Sequence, residues 1–240
     1  MFVSNFMKNN IKIIINSSPR SGHAWLQFLL IHELDYARQI DIGEGRHDNF
    51  IIRSSVPIMT HAKFDDIQQV TILRDPRELI PSIVTKTMGG LGNTITSGIA
   101  MPHEYPELPE VSQLLNDQFN IYDIWTNGIY NNINNLSVFT FEQVSNDFEF
   151  VTSKILQFHN MKCLNIKNAE KEKLLELAKE RIDVHNKGNY GFNNPIPVDR
   201  KPEIYYKIQE IANSFPRMDE AIKQYKTVKD IIEEKHNIHA

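Results

Sequence analysis

The chain of 240 residues is 41% hydrophobic and 23% charged, with a formal net charge of −4. This balance argues for a packed core over disorder and gives no support to a general nucleic-acid or membrane-surface binder, so any polyanion must sit in a local basic pocket. A single cysteine, Cys163, excludes an intramolecular disulfide. Together with a start that has no signal-peptide pattern and no apolar run near ~18 residues, it predicts a cytoplasmic protein without a membrane span. The length fits one α/β domain over residues 1–240.

In chain order, Ile11–Leu30 (IKIIINSSPRSGHAWLQFLL) comes first. Ile11, Ile13, Ile14 and Ile15 make the near-continuous apolar run of a parallel strand covered on both faces. Turn formers follow at residues 16–22, and helical patterning begins at Trp25. Short strands are expected at Ile51-Ile52 and at Pro57–Thr60, and a clearer one at Val70–Leu73, ended by Arg74-Asp75-Pro76. Pro76 suits the first turn of a helix running to about Lys86. Residues 88–109, rich in Gly, Pro, Thr and Ser, predict a long loop of the kind that carries function. A helix over Val111–Tyr130, a strand over Leu136–Phe141 and helices at roughly 142–159, 169–184 and 201–213 complete the pattern. The alternation predicts an α/β fold of three layers and P-loop type, its mostly parallel central sheet flanked by helices. In such sheets ligands bind at the carboxyl ends of the strands.

Three strand ends stand out. The turn Pro19–Trp25 leads into a helix N-terminus, where unpaired amides and the helix dipole favour an anion; Arg20 adds a permanent positive charge. It lacks the Gly-Lys-Ser/Thr of a Walker A loop, which disfavours ordinary ATP hydrolysis. The alternative is a capped helix start with a surface arginine. Arg74 and Ser82 lie at a strand end and on the following helix, placed to hold a second phosphate. The alternative there is a surface ion pair of the arginine with Asp or Glu, worth ~0–1 kcal/mol. Thr60-His61 ends the short strand, and a histidine facing the same edge as two anion sites is a base candidate. No His/Cys/Asp cluster has metal-ligand spacing, so no metal is expected.

Together these motifs resemble the family of sulfotransferases that use PAPS (3′-phosphoadenosine 5′-phosphosulfate). The family's 5′-phosphosulfate loop reads close to Pro-Lys/Arg-Ser-Gly-Thr-Thr-Trp-Leu; here it is Pro19-Arg20-Ser21-Gly22-His23-Ala24-Trp25-Leu26. An Arg at a strand end with a Ser eight residues on is its 3′-phosphate motif, matched by Arg74 and Ser82. Met59-Thr60-His61 matches the Thr and His of the family's Lys-Thr-His base segment. Phe141 takes the place of an aromatic that can contact adenine, and Asn186-Lys187-Gly188 resembles a late Arg-Lys-Gly that closes on the 3′-phosphate.

The resemblance implies that Arg20 and the backbone of Ser21, Gly22, His23, Ala24 and Trp25 hold the 5′-phosphosulfate. It gives His61 the proton of an acceptor hydroxyl or amine, and Arg74, Ser82, Lys187 and Gly188 the 3′-phosphate. Trp25 is either an adenine-stacking side chain or a plain core tryptophan. The co-substrate implied is PAPS, the product PAP, and the acceptor a small molecule or a glycan. The departure is His23-Ala24, where the family has two threonines; the lost hydroxyls cost ~0.5–1.5 kcal/mol each. A kinase-like P-loop enzyme and a non-catalytic member that binds PAP or PAPS are the alternatives.

Overall fold

The computed structural model describes residues 12–18, 20–40, 50–54, 67–90, 108–186 and 203–237. Strand β1 (Lys12–Asn16) leads into helix α1 (His23–Ile40), then β2 (Phe50–Ser54), β3 (Gln68–Leu73) and α2 (Pro76–Gly90). The chain continues with α3 (Leu108–Asn132), β4 (Ser137–Thr140), α4 (Phe141–Asn146), α5 (Phe148–Phe158), α6 (Lys171–Asn186), α7 (Glu203–Asn213) and α8 (Met218–Asn237). The strands form one parallel sheet in the order β2-β1-β3-β4.

Strand alternation divides the core in two. Ile13, Ile15, Val70, Ile72 and Phe139 meet the apolar faces of α1, α4, α5 and α6. Leu73 and Val138 meet those of α2, α3, α7 and α8. The result is the expected three-layer α/β fold of P-loop type, with its first turn at the carboxyl edge of a parallel sheet. Ile14 is only partly buried, so β1 is better covered on the α1 side.

The strand order also fixes where a ligand belongs. From β1 the chain crosses through α1 to β2 on one side; from β3 it crosses through α2 and α3 to β4 on the other. The connections leaving the adjacent strands β1 and β3 therefore diverge onto opposite faces, which opens a crevice at their carboxyl ends. Thr71 Oγ1 donates to the carbonyl of Asn16 at 2.9 Å and ties the end of β1 to β3.

Local chemistry explains α2. Asp75 is its N-cap: Oδ1 accepts the amide of Arg77 at 2.9 Å, and the Asp75 carbonyl accepts Leu79 N–H. Pro76 fills the first helical position. Pro81 lies inside the helix and cannot donate to the Arg77 carbonyl one turn back. Gln209 of α7 replaces the missing donor, its Nε2 reaching that carbonyl at 3.1 Å. Two features depart from expectation. The helix expected at 142–159 divides at Asp147, where Thr140 and Gln143 form a capping box on α4 and a Ser-Asn-Asp run favours local side-chain bonds over helix. Helix α8 was not anticipated; its buried stripe of Met218, Ala221, Tyr225, Val228 and Ile232 is thinly spread among charged residues. The expected strand at Pro57–Thr60 and most of the loop at residues 88–109 lie outside the described residues. No helix among the described residues is long and apolar enough to cross a membrane.

Candidate anion-binding site

The turn after β1 is closed by Ser21, whose Oγ donates to the Ser18 carbonyl at 2.5 Å. Gly22 then takes φ +92°, and its carbonyl accepts the Leu26 amide as α1 begins. A Cβ at Gly22 would lie 3.1 Å from a Phe141 ring carbon, so the position needs glycine for space as well as for φ. Arg20 adopts φ +68°, in the left-handed region that costs an L-residue roughly 1–2 kcal/mol. Such strain in a non-glycine residue is concentrated at functional sites. The amides at Ala24 and Trp25 have no carbonyl one turn back within α1 to receive them.

Arg20 and Arg74 meet here. The Arg20 Nε lies 3.3 Å from Ser82 Oγ on α2. Arg74 Nη1 donates to the Arg20 carbonyl at 2.5 Å, and its guanidinium carbon sits 3.9 Å from the centre of the Phe141 ring. Tyr122 OH donates to the Arg74 carbonyl at 3.2 Å, anchoring the end of β3 from α3. Burial, and next the neighbouring Arg74, lower the pKa of the Arg20 guanidinium. Among the described residues no carboxylate pairs with Arg20. The two guanidinium groups repel one another, and an anion placed between them would relieve that repulsion.

The sequence expectations divide here. Arg20, Arg74 and Ser82 come together, with Ser21, Gly22, His23 and Ala24 following Arg20 in the turn and the start of α1. Arg20 contacts Ser82 directly, so the two anion motifs are contiguous. Arg74 is buried, not a surface residue, yet it has an acidic partner: its Nη2 donates to Glu78 Oε2 at 2.8 Å. Packing places two aromatic side chains. Trp25 is only 2% exposed, stacked on Phe28 and edge-on to Phe148, so its ring belongs to the core and has no open face for a base. Phe141 supports Arg74 and packs on Gly22, so the ring face that carries Arg74 is not available to adenine. His61, Lys187 and Gly188, with Pro19, lie outside the described residues.

Tyr122 and Tyr205 were not assigned to the site from sequence, and Glu78 entered only as a possible acid of the alternative ion pair. Glu78 had a signal, its spacing of four from Arg74; the tyrosines had none beyond their aromatic character. Tyr205 of α7 flanks the Arg74–Glu78 pair: burial, then Glu78, raise its hydroxyl pKa, while Arg74 opposes them. Burial pushes the Cys163 thiol up to about 11, which disfavours the thiolate. Among the described residues no group of three or more His, Cys, Asp or Glu side chains could hold a metal ion.

No protein-family model matches the sequence, and no curated protein does. Solved structures are similar at low identity. One is mouse sulfotransferase SULT7A1 complexed with PAP: TM-score 0.48, 14% identity, covering 94% of this chain and 89% of that chain. Another is retinol dehydratase in complex with androsterone and inactive cofactor PAP: TM-score 0.48, 12% identity, covering 92% of this chain and 80% of that chain. At these values neither likeness assigns an activity to this chain.

Proposed function

We propose that the protein is a PAPS-dependent sulfotransferase acting on a hydroxyl or amine of a small-molecule or glycan acceptor and releasing PAP, with residues 1–240 as one domain. The observation that carries this reading is the contact of Arg20 with Ser82, which joins the strand–turn–helix motif and the Arg-x7-Ser motif into one cationic crevice at the sheet's switch point. The residues present fit a nucleotide with two phosphate-type groups: a strained arginine without a carboxylate partner among the described residues, and a buried arginine whose Nε has no partner there.

PAPS, when bound, supplies the activated sulfuryl group. Arg20 and the amides at the start of α1 hold the 5′ end and neutralise charge on the leaving phosphate. Arg74 and Ser82 hold the 3′-phosphate, and Lys187 and Gly188 close over it. His61 takes the acceptor proton, the role a positioned imidazole most often fills in general-base catalysis. A second reading, binding without transfer, draws on His23-Ala24 in the loop and on the donors of Arg74 already committed to Arg20 and Glu78.

The test is a thermal-shift comparison of PAP, PAPS, AMP and Mg-ATP. A ligand at ~100 times its dissociation constant stabilises by ~2.7 kcal/mol. PAP and PAPS are expected to raise the melting temperature by several degrees and AMP by less. No shift with PAP or PAPS overturns the reading. A larger shift with Mg-ATP supports a kinase-like enzyme instead, and PAPS binding without transfer across an acceptor panel supports the second reading.

A further inference from the structure

The Arg74 guanidinium is engaged from several sides. Its Nη1 is committed to the Arg20 carbonyl, its face rests on Phe141, and its side chain is 8% exposed. The remaining edge carries Nε and Nη2, whose N–H bonds run parallel and form the fork that grips a carboxylate or phosphate through two oxygens. In the structure the two nitrogens of that fork are unequally served. Glu78 reaches Nη2 through a single oxygen at 2.8 Å, while Nε is buried with no partner among the described residues.

Glu78 is held by different forces from Arg74. Its side chain is 50% exposed, so water can take up its carboxylate when it leaves. It sits in the first turn of α2, where the helix dipole favours a negative charge whether or not Arg74 is its partner. A phosphate monoester carries about −1.5 to −2 at pH 7 against −1 for the carboxylate, and it has oxygens for both teeth of the fork. The buried Ser82 hydroxyl, already within 3.3 Å of Arg20 Nε, offers the same anion a further bond.

Resting on the anion-site reading given above, we propose that Glu78 is a built-in, displaceable counter-ion. It neutralises Arg74 while the crevice holds no ligand, and a phosphomonoester dianion must expel it to bind. Glu78 thereby sets the selectivity of this half of the site for a dianion capable of taking both Nε and Nη2. A nucleotide without a 3′-phosphate leaves Glu78 in place.

The experiment is calorimetric titration of wild type, Glu78→Gln and Glu78→Asp with PAP and with AMP at fixed salt. Unliganded melting temperatures confirm that each variant is folded. Glu78→Gln is expected to bind PAP about 2- to 5-fold tighter than wild type, the scale of a half-exposed ion pair, with AMP affinity unchanged. Glu78→Asp keeps the charge but is one methylene too short to reach Nη2, and it too is expected to bind PAP more tightly. Equal PAP affinity in all three proteins overturns the proposal and leaves the anion site standing. Equal gains for PAP and AMP overturn it as well, since they report a general field effect. Weaker PAP binding by Glu78→Gln shows that Glu78 positions Arg74 and does not compete for it. Absence of PAP binding in all three overturns the anion site itself, and this proposal with it.

Discussion

The Arg20 guanidinium reaches across the sheet's switch point to within 3.3 Å of the Ser82 hydroxyl, from a backbone held at φ +68°. The strain of that φ, the burial of the charge and its closeness to Arg74 all oppose Arg20 in the unliganded protein. Arg20→Gly removes all three. It loses one hydrogen bond of ~0.5–1.5 kcal/mol, and glycine adds ~0.4–1 kcal/mol of unfolded-state entropy. The bond from Arg74 Nη1 survives, because its acceptor is the backbone carbonyl. The unliganded melting temperature should therefore stay within a few degrees of wild type while the PAP-induced shift disappears. A full PAP shift in Arg20→Gly would remove Arg20 from the site.

Gly22 links the turn to Arg74 through a single ring. Its Cβ position is 3.1 and 3.2 Å from two carbons of Phe141, and Phe141 lies under the Arg74 guanidinium. Gly22→Ala should cost about 1–2 kcal/mol from φ alone and more from the displaced ring, and it should weaken PAP binding through Arg74. The double variant Gly22→Ala/Phe141→Leu relieves the contact but not the φ penalty, so it should recover part of the stability and little of the binding. Thermal melts and titrations of the two single variants and the pair form a double-mutant cycle. Strict additivity in stability would show that the turn and the ring are not coupled.

The parts of this site visible in the sequence were those encoded by neighbours along the chain. Asn16 to Gly22 marked a turn, Asp75-Pro76 marked a helix start, and the eight-residue step from Arg74 to Ser82 put the serine on α2. Residues whose role depends on tertiary neighbours were less legible. A tryptophan on an amphipathic helix faces either a base or a core, and Phe28 and Phe148 decide the matter for Trp25. Phe141 reads as a ligand contact from its place in the chain, and only the fold shows that Arg74 lies over one face of its ring. Gln209 gave no hint that it repairs the backbone opened by Pro81, because the two are brought together only by the packing of α7 on α2.

His61 carries the proposed chemistry and is separable from binding. His61→Ala should lower the rate of transfer from PAPS by ~10²–10⁴-fold, the usual scale for loss of a general base. The PAP-induced thermal shift should be unchanged, because no step in holding the two phosphates calls on the imidazole. A near-normal rate in a folded variant would exclude His61 as the base, and a lost PAP shift would assign it to binding instead.

Glu33 anchors the far half of α1. The side chain is fully buried, and its carboxylate accepts three successive backbone amides, those of Leu164, Asn165 and Ile166, beyond the end of α5. A carboxylate offers acceptors only, which is what three converging N–H groups require. Glu33→Gln keeps the shape but replaces one oxygen with a donor that faces an amide, leaving at least one buried N–H unpaired at about 1–3 kcal/mol. For a chain of this size that is a fall of about 2–4 °C per kcal/mol in melting temperature. Hydrogen exchange at the three amides should rise in the same variant, while exchange in β3, which makes no bond to Glu33, should follow only the global loss of stability. Unchanged melting and unchanged exchange would show that the carboxylate is not what holds this segment to α1. Helix α1 thus follows the Arg20 turn at one end and holds, through Glu33 in its far half, the segment after α5.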